Sequence, residues 1–455
     1  MFSPLKNSIY LRLFGAQLIA LLGTGLTTVA LALLAYELAG EEAGKVLGTA
    51  LAIKMIAYVT LSPIAGSIAQ RLPRRWFLIG LDLARAFFVA CLPFVSEIWH
   101  VYVLIFLMQA CSAGFTPAFQ ATIPDILEDE AEYTKALSLS RLAYDLESLA
   151  SPALAAAMLL FVSFDTLFAF NAVAFLVSTV LILSTSLPAG ASPPESKGIF
   201  DRLTFGIRSY LATPRLRGLL AMSMAGAAAG SMVIVNTVVY VRSELSLDGQ
   251  QTAVFLAAFG LGSMCSALLL PKLLNQAHDR TVMIGGSLIM AIGLFLGIFT
   301  PGYLPALLLW CWLGLGYSAV TLPAGRLLTR SAHPEDRPFY FSAHFALSHA
   351  CWLLTYPLAG WVGSSAGLAV TFAILLGIVV CSILVTIFVW PSNESTVLEH
   401  VHEAVDHSHM HVHDEHHQHE HEGWEGPEPH SHPHRHKPLR HSHIYVIDGH
   451  HPRWP

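Results

Sequence analysis

Apolar stretches of about 20 residues follow one another along the first 390 residues, separated by short polar turns, and each is long enough to cross ~30 Å of hydrocarbon as a helix. The pattern predicts spans at 12–36, 45–69, 76–96, 101–123, 136–161, 165–187, 217–241, 251–274, 281–299, 303–325, 339–363 and 366–390. Twelve spans place both ends of the chain on one side of a membrane. The longest internal gap, 188–216, opens with "PAGASPPES" and continues as a basic amphipathic stretch from Ile199 to Leu211. It reads as a linker. The expected architecture is an all-α membrane protein: a first six-helix half (1–187), the linker (188–216), a second six-helix half (217–390) and a tail (391–455).

An internal repeat supports two halves. "SLASPALAA" (Ser148 to Ala156) in the fifth span aligns with "LLTYPLAGW" (Leu353 to Trp361) in the eleventh at an offset of 205, setting Pro152 on Pro357. "TPA" (Thr116 to Ala118) in the fourth aligns with "LPA" (Leu322 to Ala324) in the tenth at 206. Short matches in corresponding places of two halves mark transporters built from repeats, whose substrate site lies near the midplane.

Charge fixes the expected sidedness. Lys6, Arg12, Arg71, Arg74, Arg75, Lys197, Arg202, Arg208, Arg215, Arg217, Lys272, Arg280, Arg326, Arg330 and Arg337 fall on one set of loops and termini, and the opposite set shows Lys45 and Arg242. By the positive-inside rule the basic set, with both termini, is cytoplasmic. A hydrophobic content of 54 %, diluted by a polar tail, exceeds that of a soluble enzyme and leaves no room for a large soluble domain. The six cysteines (Cys91, Cys111, Cys265, Cys311, Cys351, Cys381) all fall in apolar segments with no C-x-x-C spacing, which argues against disulfides and a structural zinc site. The first span follows Lys6 and Arg12 with no small-residue cleavage pattern, so it reads as uncleaved. No G-x-x-x-x-G-K-[ST] loop is present, which argues against ATP as the driving force.

The tail changes the picture. It holds 18 of the 23 histidines, in runs such as "HSHMHVHDEHHQHEHE" and "HSHPHRH", where uniform scatter would give about 3. Imidazole suits Ni, Cu, Zn and Co, and a strand with histidine at every second position can gather several rings around one ion. His407, His409, His411, His413, His416, His417, His419, His421, His430, His432, His434 and His436 are the expected metal ligands of a disordered tail. Such binding needs neutral imidazole and weakens as pH falls through about 6.5.

Polar groups inside spans are costly unless they face a cavity or a partner, so they are the candidates for a transport pathway. The fifth span carries Arg141, Asp145 and Glu147. Arg141 and Asp145 are one turn apart and can form a structural pair, whereas Glu147 lies on another face. The eleventh carries His344, His349 and Cys351; His344 and Cys351 share a face but lie about 10 Å apart along the axis, and His349 points elsewhere. Each histidine is either hydrogen-bonded structure or a metal or proton site. Lys54 in the second span pairs with a carboxylate or snorkels. Met232 and Asn236 in the seventh, with Gln17, Gln109, Thr116 and Tyr317, are weaker candidates.

"GSIAQRLPRR" (Gly66 to Arg75) resembles the loop signature of the major facilitator superfamily, with Gln70 where the family has aspartate and Pro73 where it often has glycine. The resemblance makes Gly66, Arg71, Arg74 and Arg75 a conformational loop motif, with Asp82 and Arg85 as replacements for the missing acid. "FTPAFQATIPDIL" (Phe115 to Leu127) is similar to the fourth-helix segment of the drug:proton antiporter branch that includes siderophore and macrolide exporters, and "ASPALAA" (Ala150 to Ala156) to its fifth-helix motif. Within that branch the histidine-rich tail is similar to that of nickel-resistance exporters of the Nre type. The resemblance implies a proton-coupled exporter of a divalent transition metal, nickel first and cobalt next, with zinc or copper also open, in a bacterial inner membrane. Lipid, the metal ion and protons are the expected partners, with no nucleic acid, no catalytic cofactor and a monomeric state. Two alternatives stand beside it: a drug or siderophore exporter with a metal-sensing tail, and a membrane-anchored metal buffer or sensor.

Overall fold

The computed structural model describes all residues except Met1, 40–42, Gln70, 189–198, Asp248, Glu335, 393–396, 403–405, 412–429, 436–438, Tyr445 and 447–455. Each expected span coincides with a helix: α1 (Ser8–Ala39), α2 (Ala43–Ala69), α3 (Arg74–Cys91), α4 (Ile98–Ile126), α5 (Glu130–Met158) and α6 (Phe164–Leu183) in the first half. The amphipathic linker stretch is α7 (Ile199–Ala212). The second half holds α8 (Pro214–Val239), α9 (Gly249–Leu274), α10 (Asp279–Gly297), α11 (Tyr303–Thr321), α12 (Ala324–Arg330), α13 (Arg337–Ala366) and α14 (Leu368–Val389). The tenth expected span is thus split into α11 and α12 around Pro323, which has no N–H to donate to the preceding turn. Among the described residues ten helices are long and apolar enough to cross a membrane. Helices α5 and α13 are as long but fall outside that set on composition, and they are the two that carry most of the polar candidates.

Each half has its own apolar core. Leu26, Leu34, Val89, Ile105, Phe168 and Phe175 interlock in the first, and Met222, Met232, Phe255, Met290, Trp310 and Phe372 in the second. The halves meet chiefly where α2 and α4 pack on α13 and where α5 packs on α9. Gly66 makes the first contact possible, because a side chain there would strike Ser342 of α13. Four residues earlier on the same face, the Ser62 hydroxyl donates to the Ser342 carbonyl at 3.1 Å. Helix α7 lies against both α2 and α13.

At the end bearing the arginine-rich loops, charges tie the halves together. Asp125, near the end of α4, accepts from Arg74 of the first half and from Arg337 of the second. Glu130, opening α5, is 3.0 Å from Arg326 Nη2 and 2.5 Å from Arg330 Nη2, both on α12. Asp279, opening α10, takes the same two arginines at 3.3 and 2.8 Å, and Arg326 also donates to Thr134 at 3.1 Å. Arg74, Asp125, Glu130, Arg326, Arg330 and Arg337 line a cavity of about 570 Å³. Asp82 and Arg85 do not stand in for the missing loop acid. They pair with each other inside the first half, where Asp82 also accepts from Ser178 at 2.7 Å and Arg85 lies over the rings of Phe115 and Phe175. The carboxylate facing the loop motif is Asp125, while Arg71 is exposed, Arg75 donates to the Leu183 carbonyl, and Gln70 lies outside the described residues.

The body (2–392) and the tail (393–455) are separate packing units. Among the described tail residues, β1 (Val397–His402) pairs antiparallel with β4 (Leu439–Ile444), and β2 (Asp406–His411) with β3 (His430–Arg435). Histidine at every second position has the strand period, so the alternation that suits metal binding also suits a ladder. His413, His416, His417, His419, His421 and His436 lie outside the described residues.

The shared carboxylate makes a specific prediction. Asp125→Asn leaves Arg74 and Arg337 without their counter-charge and shifts the protein toward the conformer open at the basic end. In a cysteine-free background, labelling of a Ser342→Cys probe by a polar maleimide should rise about tenfold, the population change that ~1.4 kcal/mol produces. An unchanged rate would show that the network does not hold this end closed.

Candidate functional site

The midsection of the body is built from two facing stripes. Lys54, Tyr58 and Ser62 recur every four residues on α2, and Ser342, Phe345, His349, Trp352 and Tyr356 recur at three- and four-residue steps on α13, so each set occupies one helix face. The Tyr58 ring lies 4.8 Å from the rings of both Phe345 and His349. The Phe345 and His349 rings lie 4.1 Å apart, tilted by 37°. The Tyr58 hydroxyl donates to Gln109 Oε1 of α4 at 2.7 Å, which orients the ring, and Lys54 Nζ stands 5.6 Å from its centroid. Further along α13, Trp352 packs on Tyr356 at 5.0 Å and on Tyr317 of α11 at 6.3 Å, and Tyr317 on Phe259 of α9 at 5.6 Å. Gly230 of α8 leaves the space that Trp352 fills.

Helix α5 faces these aromatic groups with its charges. Arg141 Nη2 is 2.5 Å from Asp145 Oδ1, its Nε donates to Ser263 of α9 at 2.9 Å, and its guanidinium lies 4.9 Å from the Tyr317 ring centre. Arg141 and Asp145 are therefore a structural pair that also crosses between the halves. Glu147, half-buried, packs against Gly25 of α1, and it and Lys54 are close enough to interact electrostatically. A lysine beside a carboxylate opposes a bare divalent cation there and suits a proton or an organic group.

Several candidates lie elsewhere. His344 Nδ1 is 3.0 Å from the Tyr210 hydroxyl of α7 with the two rings stacked, so it fastens the linker helix to α13. Cys351 is buried, its Sγ 3.4 Å from the Leu347 carbonyl. Met232 and Asn236 do not line a pathway. Met232 is fully buried, and Asn236 donates to the Ala359 carbonyl at 3.1 Å, bracing α8 against α13. His349 faces Tyr58, on a different side from His344, as the spacing requires. No group of three or more His, Cys, Asp or Glu side chains suited to a metal ion occurs among the described residues.

Sequence reasoning passed over Tyr58, Phe345, Trp352 and Tyr356, since a search for charges in apolar spans does not register aromatic groups. On α13 the three- and four-residue recurrence of Phe345, His349, Trp352 and Tyr356 was the available signal. Asp125, Glu130 and Asp279 were missed because a charge at a helix end is usually solvated. The structural reading of Asn236 is testable: Asn236→Ala should lower stability by ~1 kcal/mol, the net worth of a typical buried hydrogen bond, while substrate affinity per folded molecule is unchanged. A thermal midpoint equal to that of the parent would contradict it.

The family model of the Major Facilitator Superfamily matches residues 13–280 and 220–424. The transporter YfiS of Bacillus subtilis, an uncharacterised MFS-type protein, is 26 % identical over 162 residues, 35 % of this chain, and the chain spans only 39 % of its length. Macrolide efflux protein A of Enterococcus faecalis is 24 % identical over 152 residues, covering 31 % of this chain and 47 % of that protein. The class E tetracycline resistance protein of Escherichia coli is 25 % identical over 315 residues, covering 67 % and 75 %. Among solved structures, the human organic anion transporter MFSD10 superimposes with a TM-score of 0.71 at 13 % identity, over 83 % of this chain and 99 % of that one. A bacterial homologue of the iron transporter ferroportin, in its outward-facing state, gives 0.67 at 16 % identity over 84 % and 98 %. With two helical halves joined by an amphipathic linker, and a family match running from the first span into the tail, the chain belongs to the Major Facilitator Superfamily, a family of transporters and not of enzymes.

Proposed function

We propose that this protein is a proton-coupled exporter of amphipathic organic compounds, with the basic end facing the cytoplasm of a bacterial cell. The observation that carries this reading is the aromatic wall formed by Tyr58, Phe345, His349, Trp352, Tyr356 and Tyr317, next to a Lys54–Glu147 charge pair. Sites for organic molecules are mostly apolar and aromatic with a few placed polar groups. Glu147 is the proton carrier in this scheme, with Lys54 releasing it when substrate leaves. The names of the macrolide and tetracycline relatives support the substrate class.

Export of nickel or cobalt is the second reading, favoured by the 18 tail histidines. It requires His349 and Glu147 to supply ligands in the body. The Lys54 cation beside Glu147 weighs against it.

Accumulation in cells separates the two. The full chain should lower erythromycin or tetracycline content several-fold in energised cells, and an uncoupler should abolish the effect. Glu147→Gln should remove at least ~90 % of it, as loss of a positioned proton acceptor does, and Trp352→Ala should raise the half-saturating concentration. A fall in nickel content that Glu147→Gln and His349→Ala abolish, with antibiotic content unchanged, would establish the metal reading instead.

A further inference from the structure

Helix α5 carries a buried hydroxyl beside Glu147 that the proton scheme leaves unused. Ser151 stands one turn beyond Glu147, at i,i+4, so the two share a helix face with Cβ atoms ~5–6 Å apart. Ser151 is only 1 % exposed, and its Oγ has no hydrogen-bond partner. Other hydroxyls of the same helix bond the carbonyl four residues back: Thr134 donates to Glu130 at 2.7 Å and Ser138 to Thr134 at 3.2 Å. A buried hydroxyl left without a partner is costly, which points to a partner in another state of the molecule. One acceptor is at hand. A side chain at Gly25 of α1 would strike both the Ser151 hydroxyl and Glu147 Oε1, so these two oxygens converge on the same spot of α1. In the internal repeat Ser151 is the counterpart of Tyr356, at the offset of 205 that sets Pro152 on Pro357, and Tyr356 belongs to the aromatic wall.

We propose that Ser151 is a positioning residue of the proton site: once Glu147 has released its proton to water, the Ser151 hydroxyl turns to donate to Oε1 of the carboxylate, and the other oxygen remains for Lys54. This rests on the reading of Glu147 as the proton carrier. The hydroxyl keeps its own proton throughout. A hydrogen bond donated to the charged form favours that form, so Ser151 helps the proton leave. Few charged or titratable groups surround Glu147. Lys54 of α2 and Tyr144 of α5 are close enough to interact with it electrostatically, Arg141 and Asp145 are paired with each other, and His349 of α13 lies near Lys54. The helices packed on α5 at this level, α1 over 18–32 and α9 over 251–270, carry no charged residue. Gly25, Lys54, Glu147 and Ser151 all belong to the first half, so the proton site travels as one unit when the halves rock, whereas the aromatic wall is drawn from both.

The test is an infrared titration of the purified full-length protein, in which the band of the protonated Glu147 carboxyl is the one that Glu147→Gln removes. In Ser151→Ala the midpoint of that band should lie about one pH unit above the parent's, a tenfold gain in proton affinity, as loss of a hydrogen bond to a charged group produces. Ser151→Cys, whose thiol is a weak donor, should fall between the two, and it carries the same comparison if the alanine variant does not fold. The pH at which erythromycin or tetracycline elicits half-maximal proton flux in proteoliposomes should move by the same amount, a change that a merely structural role would not produce. An unchanged or lower midpoint in these variants overturns the role of Ser151 and leaves Glu147 as the proton carrier. If no band that Glu147→Gln removes varies with pH, the carrier reading fails and this inference fails with it.

Discussion

Asp125 is shared by an arginine from each half of the molecule, and the rest of the body is arranged around that fact. Together with Glu130 and Asp279, each holding Arg326 and Arg330, it converts the basic end into a latch between two bundles that otherwise have separate cores. Bundles with separate cores can rock about their contact without unpacking, because the energy that changes is at the interface. Ion pairs suit that contact: removing one partner strands a partly buried charge, yet the intact pair gains little over separate solvated ions. A latch of this kind holds firmly and still opens.

Above the latch the interface changes character. Gly66 and Ser62 let α2 approach α13 closely near the basic end, and further along the same faces aromatic rings replace small residues. Tyr58, Phe345 and His349 join the halves through ring contacts, whereas Arg141 joins them through a hydroxyl of α9 and the face of Tyr317. Of the fifth-span carboxylates, Asp145 is held by Arg141, whereas the neighbour of opposite charge to Glu147 is Lys54. A proton carrier needs a carboxylate whose charge can be released, and Glu147 is the candidate placed for that.

The spans were legible because lipid admits only helices whose backbone groups are satisfied internally, so hydropathy alone delimits them. The linker helix α7 was legible from its amphipathic period. Sites were less so. The i,i+4 spacing of Arg141 and Asp145 announced their pair, but nothing local announces that Asn236 and Met232 face the second half's own core. Asp82 and Arg85 looked available to the loop motif by sequence distance, and three-dimensional packing gave them to Ser178 and two phenylalanines instead.

The proposal that the body moves organic molecules in exchange for protons is tested most directly in proteoliposomes containing the purified full chain under an imposed pH gradient. Erythromycin or tetracycline should elicit proton flux that Glu147→Gln abolishes and that a chain ending at Pro391 retains, and Ni(II) should elicit none. Proton flux driven by Ni(II), with none from the antibiotics, would contradict the account.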